Sequence, residues 1–155
     1  MTYRISGLHR EQFAHLIGGS EEAIAAAGAI RVIANADFGW PCRISLKDAK
    51  AGDRLILLNY TSHDVATPYR SSYAIYINEH LEAPAIYTDT IPPVFEGRAM
   101  AFRAFDMCGL LHSAALAMPG ESDAKIRALF AADEIAYIHA HNAAHGCFAA
   151  RIERS

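Results

Sequence analysis

Apolar and polar residues alternate with a period of two over much of the chain, and this pattern predicts strands. RVIANA, DRLILLNY, SSYAIYI, RAMAFRAF, LLHSAALA, EIAYIHAH and CFAARIE read as extended segments, separated by Gly, Pro, Asp and Asn breaks. A short strand is also expected at Tyr3 to Ser6. Helical spacing appears three times. Phe13, Leu16 and Ile17 share one face of a helix predicted over about 9–17, which Gly18 and Gly19 end. Ser20 is placed to cap a second short helix, with Glu21 and Glu22 in its first turn and Gly28 just past its end. A third is predicted over 122–132, with Ser122 as cap and Ile126, Leu129 and Phe130 turned inward. Many strands with few helices do not make the regular alternation of a parallel sheet. They predict an α+β fold: a mostly antiparallel β-sheet with two short N-terminal helices and one helix near residues 122–132.

Composition narrows the class of protein. With 155 residues, 52% of them hydrophobic and 20% charged, the chain is long enough and apolar enough for one core, and residues 1–155 are expected to form a single domain. The formal net charge of -3 supplies no basic field, so neither nucleic acid nor an anionic membrane is expected as a partner. The first residues, MTYRISGLHREQF, lack the apolar run of an export signal. The most apolar later stretch is broken by Arg103, Asp106 and His112, so no membrane span is expected and a cytoplasmic location is. Three cysteines at 42, 108 and 147 are too few and too scattered for a disulfide framework and read as reduced thiols.

Four polar clusters carry candidate chemistry. In the first, Cys42 lies between Pro41 and Arg43, where a guanidinium favours thiolate; a buried structural cysteine explains the same residues. The second is the loop TSHDVATPYRSS, which gathers His63, Asp64, Tyr69 and Arg70 between two strands. Arg70 there has the planar fork that grips carboxylate or phosphate, although a loop merely pinned by Tyr and Arg fits equally. The third is YIHAHNAAHGC. In a strand, Tyr137, His139 and His141 share one face, and a return strand after Asn142 to Gly146 is expected to set His141 near Cys147, His139 near Ala149 and Tyr137 near Arg151. Phe148, Ala150 and Ile152 are then expected on the opposite face. The fourth is RAFDMCG, where a two-residue Cys108-Gly109 turn is expected to bring Phe105 opposite His112. Arg103, inside an otherwise apolar strand, requires a partner or a polar cavity.

Imidazole and thiolate are metal ligands, but no fourth ligand and no paired CxxC accompany His139, His141 and Cys147, so no metal and no cofactor is assigned. WPCRISLKDAKAGDRLILLNY, TPYRSSYAIYI, RAFD and YIHAHNAAHGCFAARIER together resemble the bacterial family called domain of unknown function 1203, over nearly the whole chain. The residues carrying the resemblance are Pro41, Cys42, Arg43, Pro68, Tyr69, Arg70, Arg103, His141, Asn142, Gly146 and Cys147. It implies a small single-domain bacterial protein and supplies no activity.

The function expected from these residues is a pocket for a small anionic molecule. Cys42, His141 and Cys147 are its candidate catalytic groups, and Arg43, His63, Tyr69, Arg70, Arg103, His139 and Asn142 its candidate ligand-binding groups. Two alternatives belong to other classes. One is an interaction module or homodimer anchored by Trp40, Tyr60, Tyr69, Tyr73 and Tyr76; the other is a thiol redox sensor pairing Cys42 with Cys147.

Overall fold

In a computed structural model, which describes residues 1–80 and 83–155, the alternating segments form two antiparallel sheets. The strands are β1 (Tyr3–Ser6), β2 (Ile30–Ile33), β3 (Arg54–His63), β4 (Ser71–Asn78), β5 (Ile86–Thr88), β6 (Met100–Phe105), β7 (Leu111–Ala117), β8 (Tyr137–Asn142) and β9 (Phe148–Arg154). Six make one sheet in the order β5-β1-β9-β8-β6-β7, and three make the other, β2-β3-β4. The α-helices are α1 (Glu21–Ala26) and α2 (Ser122–Leu129). The α+β expectation therefore holds, with strands dominating. No helix among the described residues is long and apolar enough to cross a membrane.

The six-stranded sheet is covered on both faces. On one, Ile138 and Ala140 of β8, Phe102 of β6 and Ile152 of β9 pack with Ile126, Leu129 and Phe130 of the α2 region into the main core. On the other, the side chains of β8 that alternate with these meet the small sheet together with Phe148 of β9: His139 lies 5.0 Å from His63, His141 lies 4.9 Å from Tyr73, and Phe148 lies 6.1 Å from Tyr60, measured between rings. Double coverage explains why Tyr137 to His141 are all buried although the strand carries two histidines.

Several local expectations are corrected. The first helix is only a 3-10 turn, Arg10–Phe13, followed by further turns. Ser20 does cap α1, accepting from the Ala23 N–H at 3.2 Å, but α2 is entered from Glu121, and Ser122 is its first helical residue with no capping bond. β5 escapes the pattern because three residues between prolines cannot show an alternation. The β6–β7 turn is longer than two residues: Asp106 accepts from the N–H groups of Cys108 and Leu110, and Phe105 pairs with Leu111 instead of His112.

The β8–β9 register also differs. His139 stands opposite Arg151 and Tyr137 opposite Glu153, and a bulge between Ala140 and His141 then sets His141 against Phe148. The extra residue on β9 turns Phe148 onto the histidine face, where its ring lies 5.1 Å from His139, and leaves both Ala149 and Ala150 in the main core. The bulge shortens the return of the chain and brings Cys147 to the end of β8.

Candidate functional site

Arg43 is the anchor of the site. Its backbone is held from two sides, its N–H donating to the Tyr76 carbonyl of β4 at 3.0 Å and its carbonyl accepting from Leu8 at 2.8 Å. Its side chain is 2% exposed and crosses toward the small-sheet side of β9. Nε donates to the Phe148 carbonyl, Nη1 donates to the Pro41 carbonyl at 2.6 Å, and Nη2 donates to Cys147 Sγ at 3.2 Å. Burial pushes the guanidinium below its ordinary pKa, and the neighbouring Cys147 pushes the other way. No carboxylate partners it among the described residues.

Above Arg43 opens a cleft of about 690 Å³. Phe38, Leu57, Tyr73 and Tyr76 form its apolar walls; Arg43, Cys147, Asn142 and His145 form its polar end. The Phe38 wall is fixed by Arg98, whose guanidinium lies 4.3 Å from the ring centroid and is gripped by both carboxylate oxygens of Asp48, at 2.8 and 2.9 Å. Asp48 also accepts from the N–H groups of Gly39 and Trp40, tying down the loop that carries Phe38.

The Asn142 turn shapes the polar end. Asn142 Oδ1 accepts from the N–H groups of Ala144 and His145, at 3.0 and 3.1 Å, leaving its amide nitrogen for another acceptor. Gly146 has φ of +77°, which an L side chain rarely adopts, and its carbonyl accepts from His141 Nδ1 at 3.0 Å. That bond fixes the His141 tautomer. Burial lowers the His141 pKa to about 4, the Gly146 carbonyl partly opposing.

The remaining candidates spread along β8 away from the cleft. Arg103 and Arg151 flank His139 in register, and Arg103 donates to the Tyr73 hydroxyl at 2.9 Å, which links it to the cleft wall. His139 is 1% exposed, and its Nε2 has no hydrogen-bond partner among the described residues. Burial, reinforced by His63, Arg151, His141 and Arg103, lowers its pKa to about 2. At the far end of β8, His63 Nδ1 donates to the Tyr69 carbonyl at 2.9 Å, so its Nε2 accepts from the Tyr137 hydroxyl at 2.7 Å. Arg70 pairs at 2.9 Å with Asp64, both groups exposed, beside a loop that bonds to Gly109 through Thr67. Arg70 and Tyr69 therefore do not join the cleft.

Cys42 is also elsewhere. It is buried with Phe13, Ile56 and Ile77, and its sulfur accepts from the N–H groups of Asn78 and Ile44 at 3.3 and 3.4 Å. Arg43, Asn142 and Cys147 thus line the cleft, with His141 and Arg103 behind its wall. Phe38, Arg98 and His145 are lining residues absent from the expected set. His145 sits within the recognised HNAAHGC run, but the bond of Arg98 to Asp48 spans 50 positions and leaves no local pattern.

No curated protein and no solved structure matches the chain. A family model described as protein of unknown function, DUF1203, matches residues 39–154, about three quarters of the chain. That span contains Arg43, the Asn142 turn and Cys147, together with all the other cleft residues except Phe38. The chain belongs to the DUF1203 family of proteins of unknown function.

Proposed function

We propose that the cleft binds a small molecule with an apolar, ring-sized body and an anionic end, and that Arg43 receives the anion. The observation that carries this reading is the buried guanidinium of Arg43, which has two carbonyls and a thiol as partners and no carboxylate among the described residues. A buried cation without a counter-ion is costly, and a ligand carboxylate or phosphate compensates it. Each terminal nitrogen of Arg43 has one bonded partner here and a second N–H to offer. Phe38, Tyr73 and Tyr76 supply flat surfaces for the body, and the Asn142 amide supplies a further donor.

The test is a thermal-shift and calorimetric panel of aromatic carboxylates, aryl phosphates and the corresponding neutral amides. An anion present at 100 times its Kd stabilises by about 2.7 kcal/mol, a rise of about 5–10 °C for a domain of this size. Carboxylates or phosphates are expected to raise Tm and their amides not to, with the effect reduced in Phe38→Ala. If no anion in the panel shifts Tm at millimolar concentration, the reading fails. Alkylation gives a second readout, because a bound ligand is expected to slow iodoacetamide labelling of Cys147 while leaving the exposed Cys108 unaffected.

A further inference from the structure

β7 (Leu111–Ala117) is one edge of the six-stranded sheet, and among the described residues no strand pairs with its outer side. An open edge is a row of N–H and C=O groups ready to template another strand, and soluble proteins commonly blunt such edges with charge, proline or very short length. The opposite edge, β5, has three residues. β7 has seven, LHSAALA, and none is Asp, Glu, Lys, Arg or Pro. From Met107 to Gly120 no Asp, Glu, Lys or Arg occurs, and His112 is the one titratable side chain of the strand. The same stretch holds four exposed large apolar residues: Met107, Leu110, Leu116 and Met118, of which Met107 is 86% exposed.

We propose that β7 pairs antiparallel with β7 of a second copy of this chain, joining two six-stranded sheets into one across a two-fold axis. The occupant follows from self-complementarity. In a register centred on Ala114, Ala114 meets its own copy, Ser113 meets Ala115, and His112 meets Leu116, so small residues occupy the axis and no like charges oppose one another along the strand. A charged peptide partner finds no complementary charge on this strand. A net charge of -3 per chain sets little repulsion against a second copy. Each chain has one β7, so this contact closes at two copies and leaves only the short β5 edges at the ends of the joint sheet. The dimer is independent of the cleft reading.

Sedimentation and light scattering of the full chain, up to about 100 µM because assembly depends on concentration, read the mass directly. The expected mass is twice the 16.9 kDa of one chain. Leu116→Lys and Ala114→Lys, both at exposed positions of β7, are expected to return the single-chain mass with unchanged circular dichroism, while Ile86→Lys on the β5 edge leaves the dimer intact. A single-chain mass for the unmodified protein throughout overturns the proposal. So does a dimer that survives both β7 variants, or one that Ile86→Lys dissociates equally well.

Discussion

Arg43 shows how one residue is made by its surroundings. A lysine placed there keeps the charge but cannot reach the Phe148 and Pro41 carbonyls and the Cys147 sulfur together, because those three acceptors match the fork of a guanidinium. Arg43→Lys is expected to cost about 2–4 kcal/mol, most of it from buried acceptors left without donors. Cys147→Ser, at the partly exposed end of the same contact, is expected to cost under about 1 kcal/mol. Urea unfolding of both variants checks the pair, and equal losses would mean that the bonds of Arg43 contribute nothing particular. Gly7 supports the same residue from behind: a Cβ there would collide with the backbone oxygen of Ile44, and backbone cannot swing aside as a side chain can. Gly7→Ala is therefore expected to displace the Arg43–Ile44 backbone and to lower Tm more than Gly18→Ala, where the added carbon meets open space despite a positive φ.

At the scale of the element, β8 couples two sheets through histidines that the fold holds neutral. His139 and His141 have folded pKa values of about 2 and about 4, both depressed chiefly by burial. The unfolded chain, with its histidines near the ordinary ~6.5, binds more protons than the folded one below that pH, so stability falls as pH drops through 6.5. At pH 5 each histidine accounts for a loss of about 2 kcal/mol relative to pH 8. The carboxylates with lowered values, such as Glu79 beside Arg31, lose their contribution only at more acid pH. Denaturant unfolding at pH 8 and pH 5 measures the loss directly. His139→Leu is expected to remove about half of it, and a pH dependence unchanged in that variant would place the titration elsewhere. The same strand marks the limit of reading by parity. Alternation put Tyr137, His139 and His141 on one face, which the structure bears out, yet the turn closes one residue later than expected and the bulge on β9 adds one more, so that Phe148 is reversed and His139 pairs with Arg151 instead of Ala149.

At the scale of the molecule, the family match begins at residue 39, but the fold does not. β1 lies between β5 and β9, inside the large sheet, and Phe13, Leu16 and Ile24 are core residues against the small one. Arg31 of β2 reaches the buried carboxylate of Glu79 through Nε and Nη2, at 2.8 and 2.9 Å, joining the N-terminal segment to the end of β4. A protein starting at residue 39 would leave one flank of β9 unpaired and the core around Ile56 and Ile75 open. It is expected to lack a cooperative thermal transition and native near-ultraviolet dichroism. Cooperative unfolding of residues 39–155 near the Tm of the whole chain would show that the segment before residue 39 is an addition to a self-sufficient domain.

The sequence by itself determined the position of every strand but β5, the α+β class and the shared face of the β8 histidines, because each depends on a period that repeats within a few neighbouring residues. It also marked Arg43, His141, Asn142 and Cys147 as candidate site residues and Arg103 as a cation in need of a partner. Only the tertiary structure decided which of those groups meet. It joined Arg43 to Cys147 across 104 positions, sent Cys42 into the core and left Arg70 on a loop with Asp64. It also made a cleft wall of Phe38, Arg98 and Asp48. Such meetings depend on strand order, on one bulge and on two sheets stacking face to face, and none of these leaves a periodic trace in the chain.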